Sequence, residues 1–263
     1  RCYYKYDKLG LLVWPDMPNG DKHIRGEDPD IERSEESEET FRREWQAIMD
    51  ANSNHPSIIA WVPFNEGWGQ FKTNEILDWT KKHDPSRLVD GPSGWTDRQG
   101  GDMHDMHAYP GPAMFPVSEE RASVLGEFGG LGWPVKDHLW WNKRNWGYRT
   151  YETQAELQQN YEILMHKLRP LINKGLAAAI YTQTTDVEGE VNGLMTYDRA
   201  LVKLDAERVT KLHQRFYEPP PIIETITYVP TSERAAQQWK YTLALPKASD
   251  DAWFKEDFDD GRW

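Results

Sequence analysis

Cysteine is almost absent: Cys2 stands alone among 263 residues. A disulfide framework and a cysteine zinc cluster are both excluded. Long apolar runs are missing too, since none approaches the ~20 residues that a membrane-spanning helix needs. Positive charge is in deficit, with 31 Lys and Arg against 43 Asp and Glu and a net charge of −12. That balance argues against nucleic acid or an anionic membrane surface as a partner. There is no internal repeat, Gly-rich phosphate loop or coiled-coil heptad. The chain opens on Arg1 without a signal-like segment and stops on Gly261-Arg262-Trp263. Both ends read as cut, which predicts a fragment or a trimmed product. Scarce cysteine leaves the compartment open, with a secreted or periplasmic setting favoured over a cytoplasmic one.

What is present is a globular composition, 38% hydrophobic and 28% charged. Aromatics stand out, with 13 Trp and 12 Tyr. Aromatic faces stack on the apolar faces of sugar rings, although large cores also consume tryptophan. The acidic stretch Glu27 to Glu39 reads as a solvated loop entering a helix rather than as a metal site.

Apolar periodicity predicts an alternation of strands and helices. Strands are expected at Gly10–Trp14, Ile58–Phe64, Leu88–Asp90, His104–Tyr109, Ser123–Glu127 and Leu176–Gln183. Helices are expected near Glu36–Ala51, Asn74–His83, Thr153–Asn173, where Pro170 is placed to kink the last turn, and Asp205–Tyr217. Short connections between alternating elements are the signature of a parallel α/β fold. Residues 1–218 form that region. Pro219-Pro220-Pro221 reads as a linker, and 219–263 as linker plus the start of a β-rich, sandwich-like segment.

Two of the apolar runs stop on a carboxylate, at Glu66 and at Glu127. In parallel α/β barrels the site lies at the C-terminal ends of the strands. Asp16, Asn65, Glu66, His107, Tyr109 and Glu127 all fall there. His107 and Tyr109 are two apart and share a strand face. Cleaving a glycosidic bond needs a proton donor to the leaving oxygen and a second carboxylate at the anomeric carbon. A free glutamic acid titrates near ~4.3, so a donor must be raised by burial or by a neighbouring negative charge. The apolar setting of Glu66, with Trp68 two residues on, predicts such a rise. Asn65 is placed to bond a sugar hydroxyl, and Tyr109 to donate to Glu127 and keep it ionised. Each residue alone has a plainer reading: surface acid, structural histidine, core tyrosine. The joint pattern outweighs these.

Asn54-His55-Pro56-Ser57-Ile58-Ile59-Ala60-Trp61, leading to Phe64-Asn65-Glu66-Gly67, resembles the acid/base region of glycoside hydrolase family 2, which contains β-galactosidases, β-glucuronidases and β-mannosidases. Tyr3 to Trp14 resembles its third barrel strand and the helix before it. Val124-Leu125-Gly126-Glu127-Phe128-Gly129 resembles its nucleophile strand, and His107-Ala108-Tyr109 the strand carrying the tyrosine beside the nucleophile. The resemblance spans roughly residues 3 to 217. It implies a (β/α)8 TIM barrel, partial here as strands 3–8, and a retaining exo-β-glycosidase. Glu127 would be the nucleophile and Glu66 the acid/base, ~5–5.5 Å apart.

The resemblance also implies no cofactor; some members use Mg²⁺, but no matching ligand set is found, so no metal is expected. The partner is a carbohydrate. Six strands cannot close an eight-stranded barrel and leave edges open. Either another polypeptide or a second copy completes it, or the chain is a non-catalytic, carbohydrate-binding remnant. β-Galactosidase is the favoured label. A β-glucuronidase would need a cation for the sugar carboxylate, and none sits at an obvious strand end; β-mannosidase stays open. The last strand reads Ile180-Tyr181-Thr182-Gln183 where well-known β-galactosidases carry tryptophans, so Tyr181 or Gln183 is expected in the sugar subsite.

Overall fold

The computed structural model describes residues 2–219, which lie in one compact unit, Arg1–Ile222. The β-rich segment expected after the proline triplet lies outside the described residues.

Helix α1 (Cys2–Leu9) stops at Gly10. The chain then runs extended, with parallel bridges from Val13 to Ile58 and from Asp16 to Val62. Helix α2 (Glu35–Asn52) starts where the Ser34 side chain accepts the Ser37 amide. Glu35, Glu36 and Glu38 place negative charge on its positive end. Its buried face is Phe41, Trp45 and Met49, the 3.6-residue spacing seen in the sequence. Strand β1 (Ala60–Trp61), helix α3 (Thr73–His83), strand β2 (Leu88–Val89), strand β3 (Met103–Ala108) and strand β4 (Ala122–Gly129) follow. The short pair β5 (Leu131–Gly132) and β6 (Arg149–Thr150) precedes helix α4 (Gln154–Asn173). Thr153 and Glu156 form a reciprocal capping box at the start of α4, and the helix continues through Pro170 to Asn173. Strand β7 (Ala178–Thr182) and helix α5 (Ala206–Gln214) complete the described part, with a 3₁₀ turn at Arg215–Tyr217.

These strands form an open parallel wall in chain order. The segment around Val13 to Asp16 pairs with the β1 segment, β1 with β2, Asp90 with Met103, β3 with β4, and β4 with β7. Every step is parallel, and each pair of strands is joined by the long crossover that parallel pairing needs. Among the described residues the wall does not close into a barrel. Its two margins carry exposed apolar side chains, Leu11 and Leu12 on one side and Ile180 on the other.

Four expectations are corrected. Gly10–Trp14 makes isolated bridges rather than a strand, and the Ile58–Phe64 run is regular only at Ala60–Trp61. Pro15 and Pro63 supply no amide to the ladder at these points. Leu176–Gln183 is likewise regular only over Ala178–Thr182. No helix occurs between β2 and β3 or between β3 and β4, so the strand–helix alternation fails there.

Apolar burial occurs on both faces of the wall. Phe41, Trp45, Met49, Trp61, Phe64 and Ile76 join α2 and α3 to the β1 segment. Leu125, Phe128, Leu157, Tyr161, Leu164 and Leu168 join α4 to β4. On the inner face, Ala60, Met103 and Val124 meet Trp14 and Ala178. This two-sided burial is why the strands read as near-continuous apolar runs.

The loop after β7 is held by an ion pair. Lys203, 1% exposed, donates to Asp186 Oδ1 at 2.6 Å and to the Val191 carbonyl at 2.9 Å. Gly193 N also donates to Asp186 Oδ1, at 2.8 Å. Lys203→Met would leave a buried, unpaired carboxylate, at a cost of about 3–5 kcal/mol. Denaturant titration should show that loss, and Lys203→Met with Asp186→Leu should recover most of it. Equal losses in the single and double variants would mean that the pair does not hold the loop.

Candidate active site

The C-terminal ends of the wall converge on one cleft. Beyond β1, Asn65 bridges Ser93, and the chain turns sharply at Glu66 (φ +52°) and Gly67 (φ +76°). The Glu66 amide donates to the Ser93 carbonyl at 2.8 Å, and the ring of His23 bonds the Glu66 carbonyl through Nε2 at 2.7 Å. The Glu66 backbone is thus fixed on both sides. His107 on β3 sits in register with Glu127 on β4, so the pleat brings both to the same end of the sheet.

His107 is buried and lies at the centre. Its Nδ1 is 2.8 Å from Glu66 Oε1 and 3.5 Å from Glu127 Oε2. Its Nε2 is 2.8 Å from Ser93 Oγ, and the Ser93 hydroxyl donates to Asp105 Oδ2 at 2.8 Å. Because that hydroxyl has one proton and gives it to Asp105, its lone pair accepts from Nε2–H. Glu66 accepts from Nδ1–H. Both ring nitrogens therefore carry protons, and His107 is an imidazolium. Burial alone would push it down, but Asp105, Glu66 and Glu127 hold its pKa up at about 9.

The second oxygen of Asp105 accepts the Gly126 amide. A Cβ at Gly126 would lie 2.1 Å from Asp105 Oδ2, so glycine is what lets this bond form one residue before Glu127. Tyr109 donates its hydroxyl to Glu127 Oε2 and lies 3.0 Å from Thr182 Oγ1. Burial and the Glu127 charge push the Tyr109 phenol up, so it is a neutral donor. Its ring stacks on Tyr148, with centroids 3.7 Å apart.

The electrostatics reverse one expectation. Glu66 is held below the usual carboxylate range by its bond to His107, despite its apolar neighbours. Burial raises Glu127, against the pull of His107 and the Tyr109 hydrogen bond. Asp16 opens onto the cleft, yet burial and the nearby Glu127 push its carboxyl up to about 6. Asp90, fully buried with neither oxygen bonded to protein, is pushed well above the carboxylate range by burial and by Asp105.

The cleft has two lobes that share Asp105. A lobe of about 270 Å³ holds Asp16, Asn65, Glu127 and Gln183. A lobe of about 910 Å³ holds Glu66 and Trp68. One oxygen each from Glu66 and Glu127 and a ring nitrogen of His107 lie within 4.8 Å of one another. Tyr181 lines the smaller lobe, while its ring also packs into the core. It packs edge-on against Phe128 and Tyr161, with centroids 5.6 and 5.0 Å away. Successive strand residues face opposite sides, so Thr182 takes the inward place. Gln183 lines the smaller lobe, its amide bound to Glu190 and Asn192 at 2.6 Å each. Ser93, Asp105, Thr182 and Tyr148 were not foreseen. Asp105 could have been: it shares the alternation of His107 on the same strand.

A family profile described as "Glycosyl hydrolases family 2, TIM barrel domain" matches residues 14–108. No curated protein matches the sequence. Among solved structures, an FMN-binding β-glucuronidase from Facaelibacterium prausnitzii L2-6 superimposes with TM-score 0.53 at 20% identity, over 84% of this chain and 37% of that one. Bacteroides uniformis β-glucuronidase 2, covalently bound to cyclophellitol-6-carboxylate aziridine, gives 0.55 at 15% identity, over 82% and 29%. A β-D-glucuronidase of Dictyoglomus thermophilum gives 0.54 at 14%, over 85% and 43%. This chain spans less than half the length of each, and at these identities the likeness is one of fold.

The charge on His107 has a measurable consequence. Its folded pKa is raised from 6.5 to about 9. The stability it contributes is therefore complete below pH ~6.5 and lost as pH rises through about 9, on the order of 3 kcal/mol at ~1.4 kcal/mol per unit. The stability gap between the parent and His107→Gln should shrink between pH 6 and pH 9.5. A gap independent of pH would mean that the ring is neutral. Residues 14–108 match the family 2 glycosyl hydrolase TIM-barrel profile, and the chain has the corresponding (β/α)8-type fold, its wall left open among the described residues.

Proposed function

We propose that the chain is the catalytic-barrel part of a retaining exo-β-glycosidase acting on a neutral terminal sugar, β-galactosidase-like rather than β-glucuronidase-like. The observation that carries this reading is the pair Glu66 and Glu127, which approach within 4.8 Å across His107. That spacing suits a retaining double displacement and leaves no room for the water of an inverting one.

In the first step a Glu127 oxygen bonds the anomeric carbon as the glycosidic C–O bond breaks, and the leaving oxygen takes a proton from Glu66. In the second, Glu66 removes a proton from water, whose oxygen attacks the anomeric carbon and releases Glu127. The Tyr109 hydroxyl supports the Glu127 oxygen throughout. Ionised Glu66, supported by His107, is the form that the second step requires. For the first step Glu66 must gain a proton, favoured when a bound sugar expels water and buries it. The neutral-sugar preference comes from the smaller lobe: its charged lining residues are Asp16, Asp105 and Glu127, with no Lys or Arg to pair a uronate. A strand-bearing partner, either another polypeptide or a second copy, would cover the exposed apolar margins of the wall. Those open margins also favour the competing reading, a carbohydrate-binding remnant without turnover.

Incubation with activated 2-deoxy-2-fluoro β-glycosides separates the two. Intact mass should rise by one galactosyl-type unit mapped to Glu127, and Glu127→Gln should abolish both label and turnover. A folded sample that accepts no label from any sugar would sink the enzyme reading.

The pH profile tests the roles. Removing the imidazolium raises both Glu66 and Glu127, since it lowers both. Both limbs of the kcat/KM bell should therefore move to higher pH in His107→Gln. A profile with unmoved limbs would show that His107 does not set the two carboxyls.

A further inference from the structure

The larger lobe is built before any ligand arrives. One wall is the segment from His23, whose ring lies 4.7 Å from that of Trp68 and which pairs with Trp68 as an antiparallel bridge. The facing wall is the segment from Gly94 to Asp97. A Cβ on Gly94 would lie 2.4 Å from His107 Cγ, so this backbone rests on the imidazole and carries Trp95 beside it, with ring centroids 6.3 Å apart. Gln70 locks Thr96 from behind through bonds of 2.6 and 3.1 Å. The Arg98 guanidinium ties the two walls together, donating to Gly26 O and Thr96 O, both at 3.2 Å, and to Asp30 Oδ1 at 3.0 Å. Phe115 is fixed by stacking on His104 at 3.8 Å.

The polar groups of this lobe are already spent. The Thr96 hydroxyl donates to Gln70. Asp97 takes both ends of the Arg121 guanidinium, at 2.8 and 2.9 Å. Asp105 serves Ser93 and Gly126 N. His23 is engaged with Glu66 O and with Arg25. What remains is Arg25, the free oxygen edge of Glu66, which also takes a bond from the Trp95 side chain, and the faces of Trp68 and Trp95, which are 45% and 46% exposed. A hydroxyl-rich sugar would find few partners here, whereas a flat apolar ring would cover exposed indole surface. The smaller lobe is the opposite case, since neither Asp16 nor the Asn65 side chain has a hydrogen-bond partner among the described residues.

We propose that the larger lobe is the leaving-group subsite and that it selects an aryl group, whose ring lies against Trp68, Trp95 and Phe115 with the glycosidic oxygen at Glu66. The assignment rests on the reading of Glu66 as acid/base. It makes Trp68 and Trp95 specificity residues: they act on the aglycone and leave the sugar in the smaller lobe untouched.

The test is calorimetric and needs no turnover. The phenyl and methyl β-thioglycosides of one sugar, which resist hydrolysis, are titrated into the parent protein, Trp68→Ala and Trp95→Ala. The phenyl compound should bind about tenfold or more tightly than the methyl compound, a gain of the size expected for aromatic contacts. Each substitution should remove most of that advantage and leave the methyl affinity unchanged. Equal binding of the two compounds by the parent, or an advantage that survives both substitutions, would overturn the proposal. Both tryptophans are half-exposed, so the variants are expected to fold, which circular dichroism checks. Fluoroglycoside labelling separates this from the glycosidase reading. Label without phenyl preference overturns the aryl assignment alone. Tryptophan-dependent phenyl binding without label overturns the leaving-group role and keeps the aryl pocket.

Discussion

The cleft depends on one buried cation among acids. His107 is satisfied on both ring nitrogens only when charged, through Ser93 towards Asp105 and directly to Glu66. At about 4 Å and an effective dielectric of ~20, a pair of unit charges interacts by ~4 kcal/mol. One imidazolium can therefore hold down a carboxyl bonded to it, but not every acid in the cleft. Glu66, bonded to it at 2.8 Å, is lowered. Glu127, at 3.5 Å, is raised overall, since burial outweighs the pull of His107. Asp16 and Asp90, without an ion pair to it, are raised as well. The carboxyl bonded to His107 is lowered, and those farther from it are raised.

The fold supplies that arrangement by backbone means. β3 and β4 pair in parallel, and their register shifts between Asp105 and His107. The shift lets Asp105 receive the Gly126 amide while His107 stays level with Glu127, and the missing side chain at Gly126 makes room for the Asp105 carboxylate. On the other side, Glu66 is held in a left-handed turn by the Ser93 carbonyl and by His23. Such a conformation is costly for a residue with a Cβ, and here the Ser93 carbonyl and the His23 ring, from two separate segments, hold it. The same Ser93 gives its carbonyl to Glu66 and its hydroxyl to Asp105, so it links the turn to the imidazolium.

How much of this was legible follows from what a sequence encodes locally. An apolar run stopping on an acid marks a buried strand that delivers a carboxylate to the rim, and Glu66 and Glu127 were found that way. The helices were found from their apolar spacing, and Thr153 and Asp205 cap the two helices that follow them. Tyr181 was expected in the sugar subsite, and it lines the smaller lobe with its ring packed on Phe128 and Tyr161, because phase on a strand decides a side chain's direction. The pairing of β4 with β7 shifts register between Leu125 and Phe128, which no local pattern announces, and the ring turned to α4 while Thr182 turned inward. Ser93 and the ionisation of Glu66 were not legible, because both arise from contacts between strands more than ten residues apart. The helix-free crossovers to β3 and β4 escaped for a related reason: those segments are occupied in holding cleft walls rather than in covering the sheet.

The low carboxyl of Glu66 and the aromatic larger lobe bear on one another. On the proposed reading of Glu66 as acid/base, a donor whose carboxyl is lowered by an imidazolium is poorly stocked with the proton that a leaving alkoxide needs. Water, the simplest oxygen acid, titrates at 15.7, whereas a phenol such as tyrosine titrates near ~10. A phenolate therefore departs with little protonation, and the lobe that adjoins Glu66 is the one walled by indoles and short of free hydrogen-bonding groups. In the return step of the proposed mechanism the demand is reversed: water must lose a proton, and an ionised Glu66 would serve as the base. A site whose acid is biased towards its base form is best matched to a substrate whose leaving group asks least of the acid. The electrostatics around His107 and the packing around Trp95 thus point to the same class of aglycone, although they arise from different residues.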